Sequence, residues 1–426
     1  MREMKLSAVR CARRIFLFVL GYRLEKDIYL HYNRQDRLQY CYENKGESEP
    51  LSEFAYLVSG AAGITWKMAV MWIVGGLLIW LAVKKDFEPA LLLPMGFGAI
   101  LVNIPYAGVI GGGGIIEWLF KTGIEASEAM PLLLFVGIGA MIDFGPLLSN
   151  PRMLFFGGAA QFGIFFTVLM AVLFGFPMKD AMSAGIIGAA DGPTAILVSQ
   201  VLNSSYKGAI AVAAYSYMAL VPIIQPAAIK LVTTKKERRI RMPYNPKSVS
   251  KTTKVLFPII VTLIAGIVAP KSVALVGFLM FGNLLRECGR LETLAKTAAG
   301  PLANLITIFL GITIAFQMRA DVFVKWDTLV IMALGLIAFV FDTIGGVCFA
   351  KIMNLFLPEG KKVNPMVGGA GISAFPMSAR VIQKMGLKED NQNHLLMHAV
   401  GANVAGQIGS VVAGGIILSL AGSILG

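Results

Sequence analysis

The sequence predicts an all-α, polytopic membrane protein made of two inverted repeats, each carrying an interrupted, re-entrant helix. Three observations lead there. First, 56% of the 426 residues are hydrophobic and only 15% are charged, whereas a soluble domain carries about 25% charged residues. Second, apolar runs long enough to cross roughly 30 Å of hydrocarbon recur from Met68 onward. Third, two of these runs are broken by glycine, proline and a polar residue, at Asp191-Gly192-Pro193 and within residues 365–379. The net charge of +13 does not signal nucleic acid. Its basic residues, such as Lys235, Lys236, Arg238, Arg239 and Arg241, cluster between apolar spans, with no basic face interleaved with aromatics. The four cysteines lack paired spacing, which excludes a disulfide framework or a zinc site.

Taken in order, residues 1–55 are charged and aromatic and read as a peripheral extension with an amphipathic surface helix. The first repeat, residues 56–232, holds spans at 68–83, 89–102, 131–148 and 153–176, a broken segment at 181–200 and a span at 209–232. A basic loop, 233–254, divides the chain. The second repeat, 255–426, repeats the order with spans at 255–269, 273–285, 302–316 and 329–350, a broken segment at 365–379 and a last span at 394–425. Short strings echo between the halves: Phe135-Val136-Gly137 and Phe309-Leu310-Gly311, or Gly96-Phe97-Gly98 and Phe281-Gly282. Such weak internal symmetry is a trace of transporter repeats. Five crossings and one re-entrant segment per repeat make the second repeat inverted. Lys/Arg-rich loops then place residues 233–254 in the cytoplasm and the C-terminus outside.

Asp191 is the strongest chemical signal. A carboxylate inside an apolar segment costs about 2.5–3.5 kcal/mol on insertion scales and faces a polar cavity or pathway. Gly192 and Pro193 unwind the helix beside it and free carbonyl oxygens. One acid plus a broken helix builds a cation site; the alternative is that Asp191 caps the helix that resumes after it. In the second broken segment Asn364, Gly368 and Ser373 are candidate partners, because hard cations take oxygen ligands and glycine permits close backbone approach. Arg380 is suited to holding a carboxylate, or else snorkels to the surface. Tyr217, in the patch Ala214-Tyr215-Ser216-Tyr217-Met218, is a candidate ligand or proton donor. The polar stretch 398–403 holds the corresponding place in the last span. Asp342 lies deep within its span as a weaker candidate.

These patches resemble the beta subunit of the sodium-ion-translocating biotin-dependent decarboxylases, which act on oxaloacetate, methylmalonyl-CoA, glutaconyl-CoA or malonate. The likeness runs from about Lys85 to the C-terminus. It includes residues 141–148 (Met-Ile-Asp-Phe-Gly-Pro-Leu-Leu), 190–196, 211–226 and 364–380. The segment 103–130 is short, which resembles the acyl-CoA branch; the extension before residue 55 departs from the family. The resemblance implies an elevator-like, inverted-repeat translocase in the bacterial inner membrane. Its cargo is Na+, moved outward as carboxybiotin on a partner protein is decarboxylated and an external proton is taken up. It implies sodium binding and coupling at Asp191, Tyr217, Asn364, Gly368, Ser373 and Arg380; joined to the chemistry of these residues, it leads to the expectation that Arg380 holds the carboxybiotin carboxylate and that Ser373 or Tyr217 receives the proton. The expected partners are a biotin carrier protein, a carboxyltransferase alpha subunit and a small single-span subunit, around a homotrimer of this chain. The rival class is a sodium-coupled secondary transporter of similar architecture, which needs no biotin partner.

Overall fold

The same apolar runs that read as spans form helices, and glycine, proline and small polar residues set where the helices stop. The computed structural model describes residues 63–424, apart from 86–88, 112, 127 and 244–247. The chain divides into two units, Met1–Gly63 and Ile64–Gly426, and every helix below belongs to the second. The N-terminal extension, residues 1–55, lies outside the described residues.

The first set comprises α1 (Trp66–Lys85), α2 (Pro89–Val102), α3 (Ala129–Met141), α4 (Phe162–Leu173), α5 (Met178–Gly185), α6 (Gly192–Val201) and α7 (Lys207–Val232). The second comprises α8 (Lys251–Val268), α9 (Val273–Glu287), α10 (Ala303–Ile314), α11 (Trp326–Leu355), α12 (Pro365–Gly369), α13 (Met377–Glu389) and α14 (Leu396–Ile424). The order of elements is the same in both sets, down to a broken pair (α5/α6, α12/α13) before the last helix. A wide helical turn also precedes the third member of each, at Lys121–Glu125 and Ala298–Leu302.

Among the described residues six helices are long and apolar enough to cross a membrane, or eight if two bent pairs each count as one span. The sequence pattern suggested ten. The difference includes α2 and α9, with 14 and 15 residues. At about 1.5 Å rise per residue they cover little more than 20 Å, short of the hydrocarbon thickness.

Packing exchanges partners between the sets: α2 lies on α10, and α9 on α3. The α3–α9 crossing is backbone to backbone. A Cβ on Gly139 would strike the Leu279 carbonyl, and one on Gly282 the Val136 carbonyl. Small residues allow such approach where no hydrophobic effect drives helices together in lipid. Likewise α4 and α7 both pack on α11, and the short helix Leu154–Ala159 packs on α14.

The basic segment after α7 is folded rather than loose. Thr234 and Glu237 form a reciprocal capping box around the turn Lys235–Arg238. Lys351 Nζ, near the end of α11, donates to the Val232 carbonyl at 3.0 Å. His398 Nε2, at the start of α14, lies 3.3 Å from the Met242 carbonyl. Thus α7 and α11 end at the basic end of the molecule and α14 begins there. The counterparts α7 and α14 run in opposite directions.

Candidate functional site

The first break follows from its local sequence. Helix α5 tightens into a narrow turn, Ile186–Ala189. Ala190 then takes a left-handed conformation (φ 52°, ψ 44°), which costs a residue with a Cβ about 1–2 kcal/mol. Asp191 is extended, and Pro193 sits in the first turn of α6, where its missing N–H is tolerated. Asp191 is the N-cap of α6: Oδ1 accepts from the Thr194 N–H at 3.4 Å. The two alternative readings of this residue are therefore compatible, because the cap occupies one oxygen and leaves the other to the site.

That other oxygen is the focus of the cluster. Oδ2 accepts from Thr194 Oγ1 at 2.8 Å, Ser410 Oγ at 2.8 Å and Gln407 Nε2 at 3.3 Å. Ser410 Oγ also lies 3.1 Å from Ser373 Oγ in the second break. The Ser373 N–H donates to the Ala189 carbonyl at 3.0 Å, joining the two breaks directly. Asn403 Nδ2 donates to the Ile372 carbonyl at 2.6 Å, while its Oδ1 is buried without a hydrogen-bond partner among the described residues. Asp191 is 3% exposed, and Ser373, Gln407 and Ser410 are buried. The site holds one carboxylate, several hydroxyls and neutral carbonyl oxygens. That donor set suits a hard, singly charged cation better than a multivalent one. Serine and threonine hydroxyls donate to the carboxylate, yet can turn their lone pairs to a cation without moving the chain.

The structure brings Asp191 and Ser373 together and places the other candidates elsewhere. Asn364 caps α12: its Oδ1 accepts from the Met366 N–H at 3.0 Å, and its Nδ2 donates to the carbonyls of Arg238 and Ile240, both at 2.9 Å. Its side chain ties the second broken segment to the basic segment. Gly368 touches Gly346 of α11 backbone to backbone, with no room for a Cβ. The Tyr217 phenol donates to the Met332 carbonyl at 2.6 Å, pinning α7 to α11. Arg380 is exposed on α13, between the second break and the basic end, and forms no ion pair among the described residues.

Four site residues were not singled out by the sequence: Thr194, Gln407, Ser410 and Tyr215. Asn403, Gln407 and Ser410 fall at i, i+4 and i+7, one face of an otherwise apolar helix, and that spacing is the signal that finds them. Tyr215, rather than Tyr217, abuts the break, because a Cβ on Gly192 would collide with its ring. Asp342 flanks the break from behind: its Oδ1 accepts from the Ile164 N–H at 3.1 Å, and Gly188 packs against its Oδ2.

At the basic end, Arg238 pairs with Glu389 at 2.7 Å and Arg241 with Asp390 at 2.6 Å. The hydrogen bond from Arg238 holds the Glu389 carboxyl below the usual carboxylate range, and Arg241 does the same for Asp390. The Arg238 carbonyl also accepts from Asn393 Nδ2 at 3.0 Å.

Residues 67–421 match the family model described as the Na+-transporting oxaloacetate decarboxylase beta subunit. This chain belongs to that family. It is 46% identical over 392 residues to the methylmalonyl-CoA decarboxylase subunit beta of Propionigenium modestum, covering 86% of this chain and 98% of that one. It is 47% identical over 364 residues to the glutaconyl-CoA decarboxylase subunit beta of Acidaminococcus fermentans, covering 85% and 96%. It is 44% identical over 411 residues to the oxaloacetate decarboxylase beta chain of Klebsiella pneumoniae, covering 82% and 94%. With its apolar helices, membership in this family makes the chain a multi-pass protein of the bacterial inner membrane and the translocating subunit of a sodium-pumping decarboxylase.

Proposed function

We propose that this chain couples decarboxylation of carboxybiotin, presented by a partner protein, to outward movement of Na+ with uptake of an external proton. The observation that carries this reading is the buried carboxylate of Asp191 at the point where the two broken segments meet. Sodium is held by Asp191 and Ser373, with the hydroxyls of Thr194 and Ser410 turning from donors to ligands. The incoming proton passes through the Ser373–Ser410 hydroxyl pair to the Asp191 carboxylate, displaces the cation there, and is then passed on to the biotin nitrogen that loses CO2, which becomes N–H. Arg380, exposed toward the basic end, steadies the carboxyl group of carboxybiotin. Asn364, Gly368 and Tyr217 act by position: their bonds and contacts fix the second break and α7 against α11. Moving one charge outward costs about 2.3 kcal/mol per 100 mV, plus about 1.4 kcal/mol per tenfold concentration ratio. Decarboxylation has to supply both, which requires tight coupling.

We infer further that the two sets are inverted repeats moving as an elevator, supported by the repeated element order and the opposed directions of α7 and α14. The complex contains a biotin carrier protein, a carboxyltransferase alpha subunit and a small single-span subunit around a homotrimer. The substrate belongs to the acyl-CoA class. The alignment with the glutaconyl-CoA relative uses 85% of this chain in 364 positions, whereas the oxaloacetate relative uses 82% in 411 and so carries extra sequence.

Sodium titration of decarboxylation in the reconstituted complex tests the reading. Wild type should be activated by Na+ and the Asp191→Asn complex should not. Unchanged activation in that variant refutes a cation site at Asp191. A purified complex without a biotinylated band on an avidin blot refutes the carboxybiotin step.

A further inference from the structure

Two cavities lie on the side of the Asp191 turn that faces the end of the molecule opposite the basic segment. A cavity of about 500 Å³ opens beside Lys325 and Asp327, at the start of α11. At about 1.5 Å per residue, the 30-residue α11 separates this mouth from the basic end by about 45 Å. A second, narrow cavity of about 10 Å³ continues inward; both are lined by Phe120, Lys207 and Gln317. Its inner wall includes Ile196 and Ser199 of α6, and Ala211 of α7. Ile196 is little more than one turn from Asp191, about 8 Å along the helix axis.

Tyr215 adjoins both the lining of the narrow cavity and the Asp191 turn. Tyr215 lies one turn beyond Ala211 on α7 and shares a hydrophobic cluster with Ile196 and Ala211. Its ring covers Gly192, and its hydroxyl is buried without a hydrogen-bond partner among the described residues. A ring packed against the lining of the narrow cavity on one side and against Gly192 on the other is placed as a plug. The mouth itself selects neither sign of charge. Lys121 is paired with Glu117 at 2.6 Å, and the remaining Lys207 and Lys325 offset Glu125 and Asp327. Amides and hydroxyls, among them Gln200, Gln317 and Ser204, complete the wall. It is suited to hydrating a small ion rather than binding one.

We propose that a monovalent cation exchanges between Asp191 and the far aqueous phase through a passage along these two cavities, and that Tyr215 is its gate. The inference rests on the cation reading of Asp191, yet its test does not depend on that reading. Gln317→Cys and Gln200→Cys are introduced into the full complex after its native cysteines are replaced by serine. Vesicles of both orientations are exposed to a membrane-impermeant, cationic thiol reagent. Labelling is expected from the far face only, with loss of sodium transport after modification. Labelling from the basic face, or none in complexes that still turn over, overturns the passage.

For the gate, Tyr215→Ala should raise passive sodium leak in proteoliposomes roughly tenfold, the effect of lowering a barrier by about 1.4 kcal/mol. Tyr215→Phe, which keeps the ring, should stay sealed. An unaltered leak in Tyr215→Ala removes Tyr215 from the path even where labelling succeeds. If Asp191→Asn keeps sodium activation while both cysteines label from the far face, the passage stands and the cation site moves elsewhere.

Discussion

The two breaks occupy equivalent places in the two sets but are built from different chemistry. The first carries a carboxylate and takes its cap from that same residue, Asp191. The second is neutral around Ser373, and its cap, Asn364, reaches away from the site to the basic segment. Two carboxylates facing each other would repel and over-bind a singly charged ion. One charged break facing one neutral break gives a cation a single counter-charge and a set of turnable hydroxyls. In the cation reading proposed above, the repeated break supplies the geometry and the difference between the two breaks supplies the affinity.

The largest test of this comparison removes the charge. Asp191→Asn should lower sodium-dependent turnover at least about 100-fold, equivalent to roughly 2.7 kcal/mol, in the reconstituted complex. Next, Asn364→Ala should lower stability by about 2 kcal/mol, from lost hydrogen bonds to the Arg238 and Ile240 carbonyls. Thermal unfolding in detergent measures this loss, and the sodium concentration for half-activation should stay unchanged. A large rise in that concentration would make the second cap a ligand and erase the contrast between the breaks.

A smaller effect is expected where the breaks touch. Ser410→Ala and Ser373→Ala should each raise the half-activating sodium concentration about five- to tenfold, the value of one hydrogen-bonding hydroxyl at about 1 kcal/mol. Ser373→Thr, which keeps the hydroxyl, should recover part of it.

The smallest effect is electrostatic. Glu389 and Asp390 are held below the ordinary carboxylate range by Arg238 and Arg241. Their pairs contribute full stability above about pH 4, and the contribution is lost as pH falls through the lower folded-state values. The thermal midpoint should therefore drop as pH falls below about 4 in wild type, and less steeply in Glu389→Gln. Arg241 is exposed and solvent screens its pair with Asp390, whereas Arg238 is buried beside a half-buried Glu389, so most of this modest change should come from the Arg238–Glu389 pair.

Asp191 and Ser373 were legible in the sequence because helix breakers inside apolar runs are local features. Tyr215 and Tyr217 are two positions apart, so their α-helical directions differ by about 200°; periodicity separates them without saying which one meets the break. Gln407 and Ser410 share a legible face with Asn403, but what that face meets is a long-range fact. Asn364 shows a different obstacle, since a polar residue before a proline suits both a ligand and a cap, and only its partners decide. At α2 and α9 the apolar runs are legible, but a count of such runs does not weigh their shortness, because hydrophobicity reports burial in lipid without reporting the length of the helix that provides it.

The fastening at the basic end has a directional consequence. Val232, Arg238, Ile240 and Met242 are stitched to residues of α11, α12, α13 and α14, and Gln225 Nε2 adds bonds to the Gly369 carbonyl and Ser378. The opposite end has a roomy antechamber instead. On the reading proposed above, the door nearest the basic surface is laced shut by many bonds in this conformation, and the far one is closed by the Tyr215 ring alone. Reloading from the basic side has to undo that lacing.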